Sequence, residues 1–370
     1  MGRIQPNIFI RKKLMKKSED IRAQYARYRQ RKILAGIILL TLLGAAMLYG
    51  LCSGPVHISP ADALRGLFAS GAQKEAVIVR NIRFPRVAAA VIAGISLAAA
   101  GCVMQCLLKN SLASPFTMGI SQGAAFGAAF AIIVFGLGEV SRTDIPVVLN
   151  NPYIVTIFAF AASLAGTFLI LMIAGVTGLS AQSTILAGIS MGALFQAATM
   201  LLQYFADDIK VASVVFWTFG DVGRAGIKDV TIMAACAAPA LVYFVWMRWH
   251  YNILESGEES AKSLGVETRS LRILGILIAA FITSVCVAFL GIIGFVGLVS
   301  PHIMRRVIGG DYRFLIPLSG LCGGALLLVS DTIARTVISP AVLPVGILTS
   351  FMGVPLFIYL IISRRRHDQR

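Results

Sequence analysis

RFPRVAAAVIAGISLAAAGCVMQCLLKNSLASPFTMG, residues 83–119, decides how the chain is read. Two arginines flank Pro85, and no charged residue follows until Lys109. A helix rises ~1.5 Å per residue, so about twenty residues cross ~30 Å of hydrocarbon. The stretch is therefore a membrane span with Arg83 and Arg86 at one surface and Lys109 and Asn110 at the other. A polar, proline-containing turn then leads into another apolar run.

Similar runs recur along the whole chain. They predict spans at 33–51, 84–106, 116–137, 153–175, 183–204, 230–249 and 271–293. A glycine- and proline-interrupted segment to 309 and spans at 314–334 and 342–363 follow, giving about ten crossings. The 370 residues are 57% hydrophobic and 14% charged, which excludes an ordinary soluble domain. The fold class is an all-α polytopic bundle in the cell membrane, one transmembrane domain over 33–363. It is preceded by a basic extension, 1–32, and followed by a basic tail, 364–370. An even number of crossings puts both termini on one side, and lysine and arginine at both ends make that side cytoplasmic. Residues 52–82 are then an external, polar excursion.

The net charge of +16 raises the question of a nucleic-acid partner, but the excess is concentrated at the two ends of the chain. Clusters that flank spans are topology signals and contacts for anionic lipid, so no nucleic acid is expected. The six cysteines form no CxxC pair, and the four histidines are dispersed, so the sequence predicts no metal site. Small residues repeat at four-residue spacing: Gly119, Gly123 and Gly127, then Gly188 and Gly192, then Gly320 and Gly324. Such spacing lets helix backbones approach closely inside a membrane, so these glycines are packing residues.

Ion-driven porters normally keep an ionisable group in mid-membrane. Here Asp331, near the outer end of a span, is the one carboxylate outside the loops and termini. There is also no GxxxxGK[ST] phosphate loop, so any nucleotide is bound by another chain. Arg83, Arg86 and Arg335 fall on the external side, against the usual bias. They read either as headgroup contacts or as a cationic ring for an acidic external partner. The main cytoplasmic loop, ILESGEESAKSLGVET at 253–268, places Glu258 and Lys262 at i,i+4, with Gly265 positioned to cap a short helix. It reads either as a solvated connector or as a surface helix that inserts into a cytoplasmic partner.

Several motifs in order resemble the permease subunits of FecCD-type ABC importers for iron–siderophore, haem and cobalamin. They are RFPR at 83–86, MQCLLKNSLASPFTMGISQGAAFG at 104–127, GFVGLVSPHIMRRVIG at 294–309, DTIAR at 331–335 and LPVGILTSFMGVPLFIYLI at 343–361. The resemblance implies a dimer of permeases, two cytoplasmic ATPase subunits that hold ATP and magnesium, and an external substrate-binding protein. No cofactor is implied in this chain, and it is not itself an enzyme. The resemblance further assigns Arg83, Arg86 and Arg335 to docking of the binding protein. Residues 255–267, among them Glu255, Glu258, Glu259, Lys262, Leu264 and Gly265, become the loop that sits on the ATPase. The fifth and tenth spans would line the path at the dimer axis. Lys109, Ser111 and Val342 depart from the usual Arg, Pro and Glu. A secondary transporter or channel would share the hydrophobicity, but it leaves the external arginines and the loop without purpose. Which chelate is carried is not written in the chain.

Overall fold

The computed structural model describes residues 8–368 except 55, 69–73, 137, 140–147, 150–151 and 339–340. Residues 1–7 of the basic extension and 369–370 of the tail lie outside the described residues, as do 55 and 69–73 of the external excursion. The described chain is a helical bundle in which a single pair of two-residue strands, Gly138–Glu139 and Val148–Leu149, lies antiparallel.

The first helix, α1 (Ile8–Cys52), is 45 residues long. At ~1.5 Å per residue it extends ~65–70 Å, about twice the hydrocarbon thickness. The sequence reading separated a basic segment from the first span, whereas the structure joins them. No proline interrupts these residues, and the charged part is built from good helix formers, so nothing stops the helix at the membrane surface. Two short helices follow, α2 (Pro60–Phe68) and α3 (Lys74–Ile78).

The quoted stretch forms α4 (Phe84–Leu107), the centre of the bundle. Pro85 does not begin it: α3, a π-helical turn (Val79–Arg83) and α4 are continuous over Lys74–Leu107. Proline lacks an N–H and its ring crowds the carbonyl four residues back, and a wider π-turn relieves that conflict without ending the helix. Nearly every residue of α4 from Ala93 to Leu107 is buried. At its far end, Lys109 adopts φ 45° and Asn110 donates to the Gln105 carbonyl at 3.1 Å, closing the helix into the turn.

The remaining helices surround α4. They are α5 (Ile120–Phe135), α6 (Pro152–Val176), α7 (Ala181–Tyr204), α8 (Asp208–Thr218), α9 (Ile227–Trp246), α10 (Arg248–Glu255), α11 (Glu258–Ser263), α12 (Thr268–Leu290), α13 (Val296–Ile308), α14 (Tyr312–Thr336) and α15 (Val345–Asp368). Seven helices among the described residues are long and apolar enough to cross a membrane. The α5, α13 and α15 segments, which occupy the other three crossings of the sequence reading, are shorter or less uniformly apolar. The α12–α13 connection has no regular structure over 291–294 and ends at Phe295 with φ 65°. This is irregular backbone at membrane depth, tolerated because protein surrounds it.

Packing is closest where glycines face backbone. A Cβ on Gly101 would lie 1.8 Å from the Gly297 carbonyl oxygen, and one on Gly94 would lie 2.4 Å from that of Gly323. Of the glycines singled out by spacing, Gly119 abuts Gly188 and Gly192, Gly123 abuts Ser163, and Gly127 meets the Phe158 carbonyl. Gly188 lies against Met118, and Gly192 is the loosest of the set at 3.5 Å.

Candidate functional site

The functional features lie at the two ends of the bundle and in a cavity between them. At the end away from the termini, α1 stops at Cys52 and leaves its last carbonyls without partners in the helix. Arg83 supplies donors, its Nη1 reaching the Leu51 and Cys52 carbonyls at 2.8 and 2.7 Å, and its Nη2 that of Val56. Arg335 does the same for Ser53 at 3.0 Å and Gly50 at 2.5 Å. Arg83 is 4% exposed and Arg335 8%. The sequence reading offered these arginines as headgroup contacts or as a cationic ring; the structure buries Arg83 and Arg335 as the cap of α1. The reason is local: a helix end in an apolar surround needs donors, and arginine carries five.

Arg86 lies beside them and holds two carboxylates unequally. Asp331, wholly buried, takes Nε at 3.0 and 3.1 Å and Nη2 at 2.8 Å. Asp221, a third exposed, takes one contact at 3.3 Å. The Arg335 Nε lies 3.7 Å from the other Asp331 oxygen. One edge of Arg86 still faces solvent, with its side chain 14% exposed.

Below this cluster is a cavity of about 570 Å³ walled by Phe116, Phe219, Ile292, Ile347, Phe351 and Val354, with Thr218 and Ser350 its polar side chains. It lies between the end of α8, the α12–α13 connection and α15. A chelate with an organic exterior meets such a wall at little cost, whereas a bare ion would lose its hydration unpaid.

At the end that carries the termini, 253–268 folds as α10, a tight turn at Gly257 (φ 127°), and α11. The Val266 N–H donates to Ala261 and that of Gly265 to Lys262, with Gly265 at φ 81°. This is the Schellman arrangement that the glycine position predicted. Glu258 meets Lys262 at 3.8 Å and the buried Arg272 at 3.3 Å. Burial would raise the Glu258 carboxyl, but Arg272, followed by Lys262, holds it below its ordinary value. Arg272 also donates to the Leu107 and Leu179 carbonyls, so it ties α11 to the end of α4 and to the α6–α7 connection. Glu255, exposed on one side, meets Arg305 at 3.5 Å and accepts from the Tyr312 hydroxyl at 3.2 Å. Glu259, Lys262, Leu264 and Gly265 face outward.

Next to α10, Lys32 is 2% exposed and sits 3.3 Å from Asp311. Asp311 also accepts from Asn252 at 3.0 Å and from the Arg313 guanidinium at 2.7 Å. Burial would raise the Asp311 carboxyl, yet Arg313, Asn252 and Lys32 hold it well below the usual carboxylate range. A carboxyl depressed in the folded state stabilises above its unfolded value, about 4, and that contribution is lost as pH falls through the folded value. Thermal unfolding scanned downward from about pH 4 is expected to show an acid limb that Asp311→Asn flattens.

Sequence reasoning missed Asp221, Arg272 and the Lys32–Asp311 pair. A charge just inside an apolar run, as at Arg272, was the available signal.

The profile of the FecCD transport family matches residues 39–363. An ABC transporter permease protein of Methanocaldococcus jannaschii is 55% identical over 93% of this chain and 98% of its own length. The hemin transport system permease of Yersinia pestis is 38% identical over 77% of this chain and 83% of its own. A solved metal-chelate type ABC transporter in an inward-facing conformation superimposes with a TM-score of 0.77 at 28% identity, covering 88% of this chain and 98% of that one. With a multi-pass bundle of this architecture and a family match over nearly its whole length, the chain belongs to the FecCD transport family and is a permease subunit of an ABC importer.

Proposed function

We propose that this permease carries an iron chelate, haem or a corrinoid, handed over by an external binding protein and driven by two cytoplasmic ATPase subunits. A second copy of the chain completes the path. Both termini are cytoplasmic in this reading, so the Arg86 cluster is external and α11 faces the ATPase. The observation that carries it is α11 itself: a capped surface helix braced from the bundle by Arg272, with Glu259 and Leu264 turned outward. A connector with no partner would need neither the brace nor an exposed leucine at its tip. The hemin permease among the relatives and the apolar cavity wall support a chelate with an organic shell. Exposed apolar residues on α7 (Leu186, Ile189, Leu194) and Phe351 on α15 suit the second copy.

The test uses Leu264→Asp with Glu259→Arg in the assembled transporter, leaving Glu258 to its partner Arg272. Loss of a central anchor of about 2 kcal/mol weakens association roughly 30-fold. The ATPase is expected to dissociate or to hydrolyse ATP without transport, with the melting temperature of the permease unchanged. Full, coupled transport by this variant would refute the assignment.

A further inference from the structure

Asp221 occupies a junction that the docking reading does not use. Its N–H donates to the Leu290 carbonyl at 2.8 Å, at the end of α12. The preceding Gly220 carbonyl accepts from Gly346, at the start of α15, at 3.3 Å. Glycines stand where these three segments cross, and the Arg224 guanidinium lies beside them, donating to the Trp217 carbonyl at 3.0 Å. A Cβ on Gly346 would lie 2.4 Å from the Phe219 oxygen and 2.5 Å from that of Ile292, and one on Gly291 would lie 2.5 Å from that of Trp217. The segments touch backbone to backbone, so a shift in one moves the others.

The other side of this junction is the cavity wall: Thr218, Phe219, Ile292, Gly294, Gly346 and Ile347 all line it. The Arg86–Asp221 contact at 3.3 Å therefore joins the solvent-facing edge of the arginine cluster to the outer wall of the cavity. Of the two carboxylates on Arg86, Asp331 has three close N–H contacts and no exposure, while Asp221 has one long contact and is a third exposed. An arriving carboxylate would displace Asp221, not Asp331. The exchange replaces one carboxylate–guanidinium pair with another, so it proceeds with little net electrostatic change.

We propose that Asp221 is the latch that couples docking to the cavity: an acidic side chain of the docked external protein takes its place on Arg86, freeing 218–221 from α4 and letting the junction part. This rests on the reading that an external protein docks at Arg86. Asp221 is a positioning residue, acting through Arg86 and the backbone it carries.

The experiment uses the reconstituted transporter with its ATPase and binding protein, reading hydrolysis with and without the binding protein and the binding protein's Kd. Asp221→Asn keeps an oxygen for the Gly223 N–H, which Asp221 now accepts at 2.8 Å, so the local turn is retained. Allosteric couplings of ordinary size predict that the stimulated-to-basal ratio falls by about fivefold or more, while the binding protein binds at least as tightly. Gly223→Ala is the second variant: its Cβ would lie 2.5 Å from Arg86 Nη1 and 3.1 Å from Asp221 Oδ1, crowding the contact between them, and the binding protein's Kd reports any loss of docking at Arg86 itself. It should give the same ratio. If both variants bind and respond as wild type does, the latch is overturned and the docking reading stands. If the wild-type transporter neither binds nor responds to the external protein, the docking reading itself fails, and the latch with it.

Discussion

Asp331→Ala is expected to lower the stability of the permease by about 3–5 kcal/mol, the range found when one partner of a buried ion pair is removed. The carboxylate has no exposure and sits between Arg86 and Arg335, so its loss leaves two guanidinium groups side by side, with only the single Asp221 contact of Arg86 to offset them. Neither can leave easily, because Arg335 is held on the Gly50 and Ser53 carbonyls and Arg86 is packed over Gly223. Asp331→Asn should cost less, since it retains an acceptor while giving up the charge. The decisive comparison is Asp331→Leu combined with Arg86→Met. Replacing both members of a buried pair with apolar groups is often neutral, so the double variant should recover much of the stability lost by Asp331→Ala. Thermal unfolding in detergent measures all of these. A double variant as unstable as the single one would mean that the pair is not the source of the loss.

Gly101→Ala is expected to be the most damaging methyl addition in the bundle. The added Cβ would meet the Gly297 oxygen at 1.8 Å, carbon at 2.5 Å and Cα at 2.8 Å, all backbone, so no side chain can rotate out of the way. Either α13 moves off α4 or the helices separate. Ordinary overpacking costs about 1–3 kcal/mol, and this contact should reach or exceed the upper end. Gly44, in α1, has nothing within 4 Å of its Cβ position, and Gly44→Ala should be neutral or gain up to about 1 kcal/mol from helix propensity. The yield of monodisperse protein after detergent extraction separates the two. Equal yields would show that α4 and α13 are not locked at this crossing.

What could be read in the chain, and what could not, divides along physical lines. Spans were legible because a charge-free length is a property of one segment. The α11 cap was legible for the same reason, since Gly265 lies at the right distance from Glu258 and Lys262. Glycine spacing identified one face of α5 and α7 but not Gly101 and Gly297, whose meeting depends on where two distant helices cross. Arg83, Arg86 and Arg335 do lie together at one end of the bundle, but the burial of Arg83 and Arg335 there was not legible. Which carbonyls need a donor is decided by where α1 ends in space, and no spacing within 83–86 records that. The continuity of α1 escaped notice because a basic run usually marks the membrane edge, whereas helix termination requires a residue that breaks the hydrogen-bond ladder.

The long first helix has one more consequence, for how the bundle can move. α1 and α14 run in the same direction and are riveted together twice. Lys32 meets Asp311 at one membrane surface, and Arg335 meets Gly50 and Ser53 at the other. Two rods fastened at both ends cannot slide along each other without breaking a buried ion pair or uncapping a helix. Shear between them is therefore closed off as a route for conformational change. What remains is rocking of the pair as a single stave, so that a tilt imposed at one surface arrives at the other with its sense preserved.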